Sequence, residues 1–399
     1  MRVRLVNAVI TLLAGVAAAT STSAQTPFRI GVVNDQSGVY QDVTGPGQAI
    51  AARMAVEDFG GKVLGRPIEV VVANDQNKPD IGATAVRRWF DAEGVSAVIG
   101  GGNSAVAAAI LTVARERGRP FMIVGAGNPD FYGKLCTPYT TQWAYDTYSA
   151  AQSTGSYLSQ GGGSWFFITT DYAFGHALER DTTAVVNASG GKVLGSVKVP
   201  LNTADWSSFL MQAQSSGAKT IGLAVAGADL INVVKQANEF GLTRGGQRLA
   251  AMIALATDVV ALGPEASAGL IGSESFYWNA NEATRAWSRR WMAQRPGKVP
   301  HMLIAYAYSA TLHYLKAVQS VGSDDPKAVV ARMKEMPVED FNNHGVAIRA
   351  DGRVMNPSLI LRAHPPKDDP LDVMEVLATV PGDKLYRPIA GNGCTMAGG

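Results

Sequence analysis

The chain has 399 residues, 47% of them hydrophobic and 17% charged, with a formal net charge of +2. This balance excludes an intrinsically disordered chain, and it gives nucleic-acid binding no basic excess with which to neutralise phosphates. The length points to more than one domain, because single hydrophobic cores stop growing at about 250–300 residues.

At the start, Met1 to Arg4 supplies a positive segment, Leu5 to Ala19 an apolar run broken by Asn7, Thr11 and Gly15, and Thr20 to Ala24 a string of small residues. The run is too short to span a bilayer comfortably, and Thr22 and Ala24 sit where a signal peptidase accepts small side chains. A signal peptide over residues 1–24 is expected, and with it a periplasmic protein. The alternative is a retained anchor or a buried N-terminal helix.

Short β-rich runs then alternate with amphipathic stretches of helix length, the pattern of parallel α/β units. Strands are predicted at Phe28 to Val33, Ile68 to Ala73, Ala97 to Ile99, Pro120 to Val124, Trp165 to Thr169, Lys192 to Val199, Thr220 to Val225 and Gly269 to Ser275. Helices are predicted at Gly47 to Phe59, stopped by Gly60 and Gly61, at Ile81 to Asp91 and Ala105 to Arg117, and near 175–188, 207–216 and 229–240. Two doubly wound, Rossmann-like α/β lobes follow. Only two cysteines are present, Cys136 and Cys394. Alone they cannot make a zinc site, and in an oxidising compartment one disulfide is expected, tying the C-terminal tail to the N-terminal half. Two unpaired buried thiols are the alternative, since sequence does not show their separation.

Four segments carry a resemblance. They are GPGQAIAARMAVEDFGGKVLGRPIEV from Gly45 to Val70, AVIGGGNS from Ala97 to Ser104, DYAFG from Asp171 to Gly175, and PHMLIAYAY from Pro300 to Tyr308 with Ala310 and Leu315 beyond it. In order and spacing they resemble the type I periplasmic binding proteins of the branched-chain amino acid ABC transporter family. The resemblance covers nearly the whole chain after residue 24. It implies two lobes joined by three hinge crossovers, near Gln142 to Asp146, Ser275 to Trp278 and Val346 to Asn356. One lobe would then hold residues 25–145 and 276–350, the other residues 146–275 and 351–399. It also implies a solute receptor working with membrane permease subunits, with no cofactor and no enzymatic activity; a monomer is expected.

The candidate site begins at Gly102, Asn103 and Ser104, where a glycine-rich turn enters a helix. Amides at a helix start, with the Ser104 hydroxyl, can hold an anionic oxygen. In the family the serine at this position binds the ligand carboxylate; the plain alternative is a helix cap. Gly125, Ala126, Gly127 and Asn128 form the next turn, where the family usually has a threonine at the position of Gly127. The wrong glycine spacing and Pro129 exclude a dinucleotide fingerprint. Rings at Tyr40, Trp143 and Tyr145, flanking Asp146, could stack on a flat ligand or pack the hinge. Tyr148, Tyr277 and Trp278 share that ambiguity. From the other lobe, Tyr172, Phe174, Gly227, Asp229 and Leu255 complete the candidate wall.

Where the amino acid binders place a glutamate against the ligand ammonium, this chain reads LAAMIALAT, Leu249 to Thr257, with no carboxylate. A desolvated ammonium would lack a partner there. A carboxylate ligand without an amine, such as a benzoate-like or phenylpropanoid acid, is therefore expected. Asp258, Asp229 and Asp171 are the possible substitutes for the glutamate, and are expected to be surface groups. Catalytic signatures are absent: there is no GxSxG elbow, HExxH helix or phosphate loop. The five histidines are scattered, and no metal site is expected. A ligand-sensing module and a secreted hydrolase built on Ser104 are the other functional classes.

Overall fold

A computed structural model describes residues 26–143 and 145–396; the expected signal peptide lies outside the described residues. The first lobe is built on a six-stranded sheet in the order β2-β3-β1-β4-β5-β6. Its strands are β1 (Phe28–Asn34), β2 (Lys62–Val63), β3 (Arg66–Asn74), β4 (Val95–Gly100), β5 (Phe121–Ile123) and β6 (Thr140–Gln142). All pairings are parallel except β2 with β3. Strands β1 and β4 lie centrally and are almost wholly buried, so their sequences are continuously apolar instead of alternating. Helices Gly45–Phe59, Pro79–Ala92 and Ser104–Arg117 connect them. The first carries Pro46 in its opening turn and ends on Gly60 in the left-handed region, as the Gly60-Gly61 stop predicts. The long apolar helix Met302–Val321 packs along Gly45–Phe59 and returns the late part of the chain to this lobe.

The second lobe holds a parallel four-stranded sheet, β10-β9-β7-β8. It consists of β7 (Gly163–Thr170), β8 (Gly191–Val199), β9 (Thr220–Ala224) and β10 (Arg248–Ala251). Edge strand β8 alternates half-buried and exposed residues, whereas interior β9 is buried throughout. Helices Ala173–Ala188, Ser207–Ser215 and Ala228–Glu239 connect these strands. A separate antiparallel sheet, β11 (Ile271–Glu274), β12 (Ser358–Ala363) and β13 (Met374–Val380), follows. Every predicted strand and helix of the chain is present within two residues of its predicted ends.

The chain passes between lobes three times: after β6, after β11 and before β12. The first and third passages lie side by side. The Gln142 N–H donates to the Gly352 carbonyl at 2.9 Å, and the Val354 N–H to the Gln142 carbonyl at 3.0 Å. The predicted disulfide is formed, Cys136 to Cys394, across a sequence separation of 258. Among the described residues no helix is long and apolar enough to cross a membrane.

Candidate functional site

The lobes face each other across a cleft roofed by Tyr40 and Tyr172. Their hydroxyls lie 2.6 Å apart, one tyrosine from each lobe. The Ala228 N–H donates to the Val39 carbonyl at 3.3 Å, and the Thr147 N–H to the Gly127 carbonyl at 2.7 Å. Beneath this roof lies a small cavity. Its first-lobe wall is Tyr40, Val43, Gly102, Ser104, Gly125, Gly127 and Tyr145; Tyr172, Phe174 and Ala226 close it from the second. Measured as room for the centre of a water-sized sphere it is about 10 Å³, space for about one water. No charged side chain lines it among the described residues.

Its polar end is the start of helix Ser104–Arg117. The capping role falls to Asn103, whose Oδ1 accepts from the Ala105 N–H at 2.8 Å and from the Val106 N–H at 3.4 Å. Ser104 is thereby freed of capping. It is 2% exposed, and its Oγ has no hydrogen-bond partner. As first residue of the helix, Ser104 also has an amide with no intrahelical acceptor. A partnerless buried hydroxyl beside helix-start amides is a place for an anionic oxygen.

The opposite end is aromatic. The Tyr145 and Phe174 rings meet edge to face at 6.4 Å, and Tyr172 and Phe174 lie 5.9 Å apart. Gly127 admits this arrangement, because a Cβ there would stand 2.7 Å from Cε2 of Tyr145. Burial pushes the Tyr40, Tyr145 and Tyr172 hydroxyls upward, so all three are neutral donors and acceptors.

Several predicted site residues lie elsewhere. Trp143 is fully buried, donates from Nε1 to Thr141 Oγ1 at 2.9 Å and meets His313 edge-on; it packs the lobe core. Asp146 caps the helix beginning at Thr147, accepting from the Ser149 N–H, and lies 3.6 Å from the Arg353 guanidinium. The Ala126 carbonyl accepts from Gln142, and Asn128 caps the turn Pro129–Phe131. Leu255 is buried before helix Ala256–Ala266. Tyr277 and Trp278 are held by Asp372 and the Leu371 carbonyl, away from the cleft. Gly227 stands behind the Tyr40 ring. Asp229 and Asp258 are buried, contrary to the surface expectation, because each accepts a backbone N–H, from Asn202 and Leu255. Burial raises their carboxyls, Asp229 to about 6 and Asp258 to about 7. Asp171 is exposed and pairs with His176. Val43 and Ala226 line the cavity without having been predicted, since small apolar residues carry no signal of their own.

Other cavities are larger. A groove of about 640 Å³ on the second lobe, beside Arg244, Glu239 and Pro264, is open to solvent and draws on one lobe only. A cavity of about 70 Å³ between the lobes adjoins the ring-lined one and includes Asp258 and Lys298.

Residues 27–369 match the family described as periplasmic binding protein. A periplasmic binding protein from Burkholderia mallei is 45% identical, with a TM-score of 0.90 over 93% of this chain and 99% of that one. A branched chain amino acid ABC transporter periplasmic ligand-binding protein from Burkholderia xenovorans LB400 is 35% identical, with a TM-score of 0.82 over 93% and 100%. At 19% identity, and thus in fold alone, an ABC transporter solute binding protein of R. palustris in complex with benzoate aligns with a TM-score of 0.80 over 92% and 99%. The chain therefore belongs to the periplasmic binding proteins that serve ABC transporters, a family of solute receptors and not of enzymes.

Proposed function

We propose that this receptor captures a small carboxylate with a flat aromatic body and no ammonium group, seated between the Ser104 helix start and the rings of Tyr145, Tyr172 and Phe174, which must part to admit it because the closed cavity has room for about one water. One observation carries the reading: the partnerless Ser104 hydroxyl opens into a cavity walled by aromatic rings and, among the described residues, by no charged group. A carboxylate gains charge-assisted hydrogen bonds there, whereas an ammonium would lose its water and meet no counter-charge. The benzoate held by the R. palustris fold relative supports the same ligand class. Lobe assignments of 25–145 with 276–350 and of 146–275 with 351–399 go with this reading. So do export by residues 1–24, a monomeric receptor in the periplasm and hand-over to permease subunits. Closure by hinge motion requires a ligand that touches both lobes.

Thermal-shift screening tests it, since a ligand at 100 times its Kd stabilises the native state by about 2.7 kcal/mol. Benzoate and hydroxybenzoates should raise the melting temperature, while leucine, isoleucine and valine should not. The reverse pattern would make this an amino acid receptor. That second reading has its own support in the B. xenovorans relative and in the buried carboxyl of Asp258 beside the cleft.

A further inference from the structure

The ring-lined cavity and the inter-lobe cavity beside it meet at the segment Val39 to Val43. The neighbouring cavity is lined by Gly38, Val39, Gln41 and Asp42, the residues flanking Tyr40, while the Tyr40 side chain lines the ring-lined one. Val43 borders both. On the second lobe Ala226 faces the first cavity and Gly227 the second. We infer that Tyr40 is a partition that sets the length of ligand the receptor accepts. This rests on the aromatic-acid reading of the ring-lined cavity and adds a specificity-determining residue to it.

The ring is fixed at several points. Its hydroxyl is held by Tyr172 at 2.6 Å. Its backbone N–H donates to Asp35 Oδ2 at 3.0 Å, and its carbonyl accepts from the Thr44 N–H at 2.8 Å. The ring lies against Gly227, where a Cβ would stand 2.8 Å from Cδ1 of Tyr40 and 3.0 Å from the Val39 carbonyl. Gly227 has φ of +63°, a conformation that favours glycine, so the socket is built into the backbone. Swinging the ring aside breaks the Tyr172 bond and the Gly227 contact, while the backbone bonds fix the point from which the ring projects.

The space behind it is bordered by charged groups as well as apolar ones. Asp258, 2% exposed, accepts the Leu255 N–H with one oxygen and lines the cavity wall, and Lys298 pairs with Asp42 at 2.9 Å. An acid longer than one ring would have to cross the plane of Tyr40, and its far end would then need a polar group.

Calorimetric titration of benzoate and 4-hydroxycinnamate into wild type, Tyr40→Ala and Tyr40→Phe tests the partition. Wild type should bind benzoate at least tenfold more tightly than 4-hydroxycinnamate. Tyr40→Ala should reduce that ratio at least tenfold, while Tyr40→Phe, which keeps the ring and loses the hydroxyl, should keep the ratio within threefold. Should Tyr40→Ala fail to fold, Tyr40→Val truncates the same ring and should shift the ratio in the same direction. An unchanged ratio in the truncated variant overturns the inference. If wild type binds neither acid, the aromatic-acid reading falls. The partition is then judged by the crystal structure of the closed truncated variant: joined cavities uphold it and separate cavities overturn it.

Discussion

Serine at the start of a helix reads as a cap or as a ligand contact, and the neighbour decides between them. Asn103 takes the capping bonds, which leaves the Ser104 hydroxyl buried and unpaired against the cavity. Ser104→Ala should therefore weaken benzoate binding by about 1–3 kcal/mol, the usual worth of a hydrogen bond to a charged group. Folding stability should be nearly unaffected, because the hydroxyl has no partner in the protein to lose. Calorimetry with benzoate and denaturant unfolding check the two halves separately, and unchanged affinity would remove Ser104 from the site. The same scale shows where the site was legible. Gly102, Ser104, Gly125, Gly127, Tyr40, Tyr145, Tyr172 and Phe174 are all brought together, since turn glycines after parallel strands and rings beside them mark a cleft. Trp143 reads no differently from Tyr145 in sequence, yet one ring enters the core and the other the cavity. Only the packing of His313 and Thr141 around the tryptophan separates them.

Helix starts also organise the second crossover. Glu274, the last residue of β11, is fully buried, and its two oxygens accept from the Ala256 N–H at 2.6 Å and the Met302 N–H at 2.9 Å. These amides open one helix of each lobe, so one carboxyl ties both lobes at the hinge. Burial outweighs those two bonds and raises its pKa to about 8. Its surroundings include Asp258, raised to about 7, and His301, which burial lowers to about 4 and so keeps neutral. A carboxyl raised in the folded state contributes stability that is fully present below its ordinary pKa of about 4.3 and is lost as pH rises through the folded value. The melting temperature should fall as pH climbs from about 5 to about 8. Glu274→Gln, which cannot ionise but keeps only one of the two acceptor oxygens, should be less stable than wild type near pH 5 and lose less between pH 5 and pH 8; equal slopes in scanning calorimetry would refute the assignment. The repeating elements were legible because hydrophobic periodicity and glycine stops act locally. Strands β2, β6, β10, β12 and β13 were not predicted, since short segments such as Arg248–Ala251 become strands only by pairing with a distant neighbour.

Across the whole molecule, the tail adds a connection between the lobes beyond the three crossovers. It leaves β13 in the second lobe, and the Tyr386 hydroxyl donates to the Asn356 carbonyl at 2.9 Å while its ring faces the Arg353 guanidinium at 3.7 Å. Next, Arg387 lies 3.5 Å from Asp130 of the first lobe and 3.3 Å from Asp181 of the second. Asn392 donates to the Tyr132 carbonyl at 3.1 Å and to Asp351 at 2.9 Å, and the path ends at the Cys136–Cys394 bond. The pairing was legible from the count of cysteines. The route was not, because tyrosine, arginine and asparagine near a C-terminus look like solvated residues until the hinge is in place beneath them. A disulfide closing so long a loop stabilises chiefly by limiting the unfolded chain, typically by about 2–4 kcal/mol. Replacing Cys136 and Cys394 together with serine should lower unfolding stability by about that amount, measured in denaturant. It should also widen the ligand-free protein's opening, because residues 387–394 would then be held to the first lobe only by partly exposed polar contacts. Small-angle scattering reads this as a larger radius of gyration without ligand and an unchanged one with saturating ligand. A variant that loses stability yet scatters like wild type would reduce the bond to a staple on the unfolded chain. A widened ligand-free form would show that the tail restrains the hinge as well.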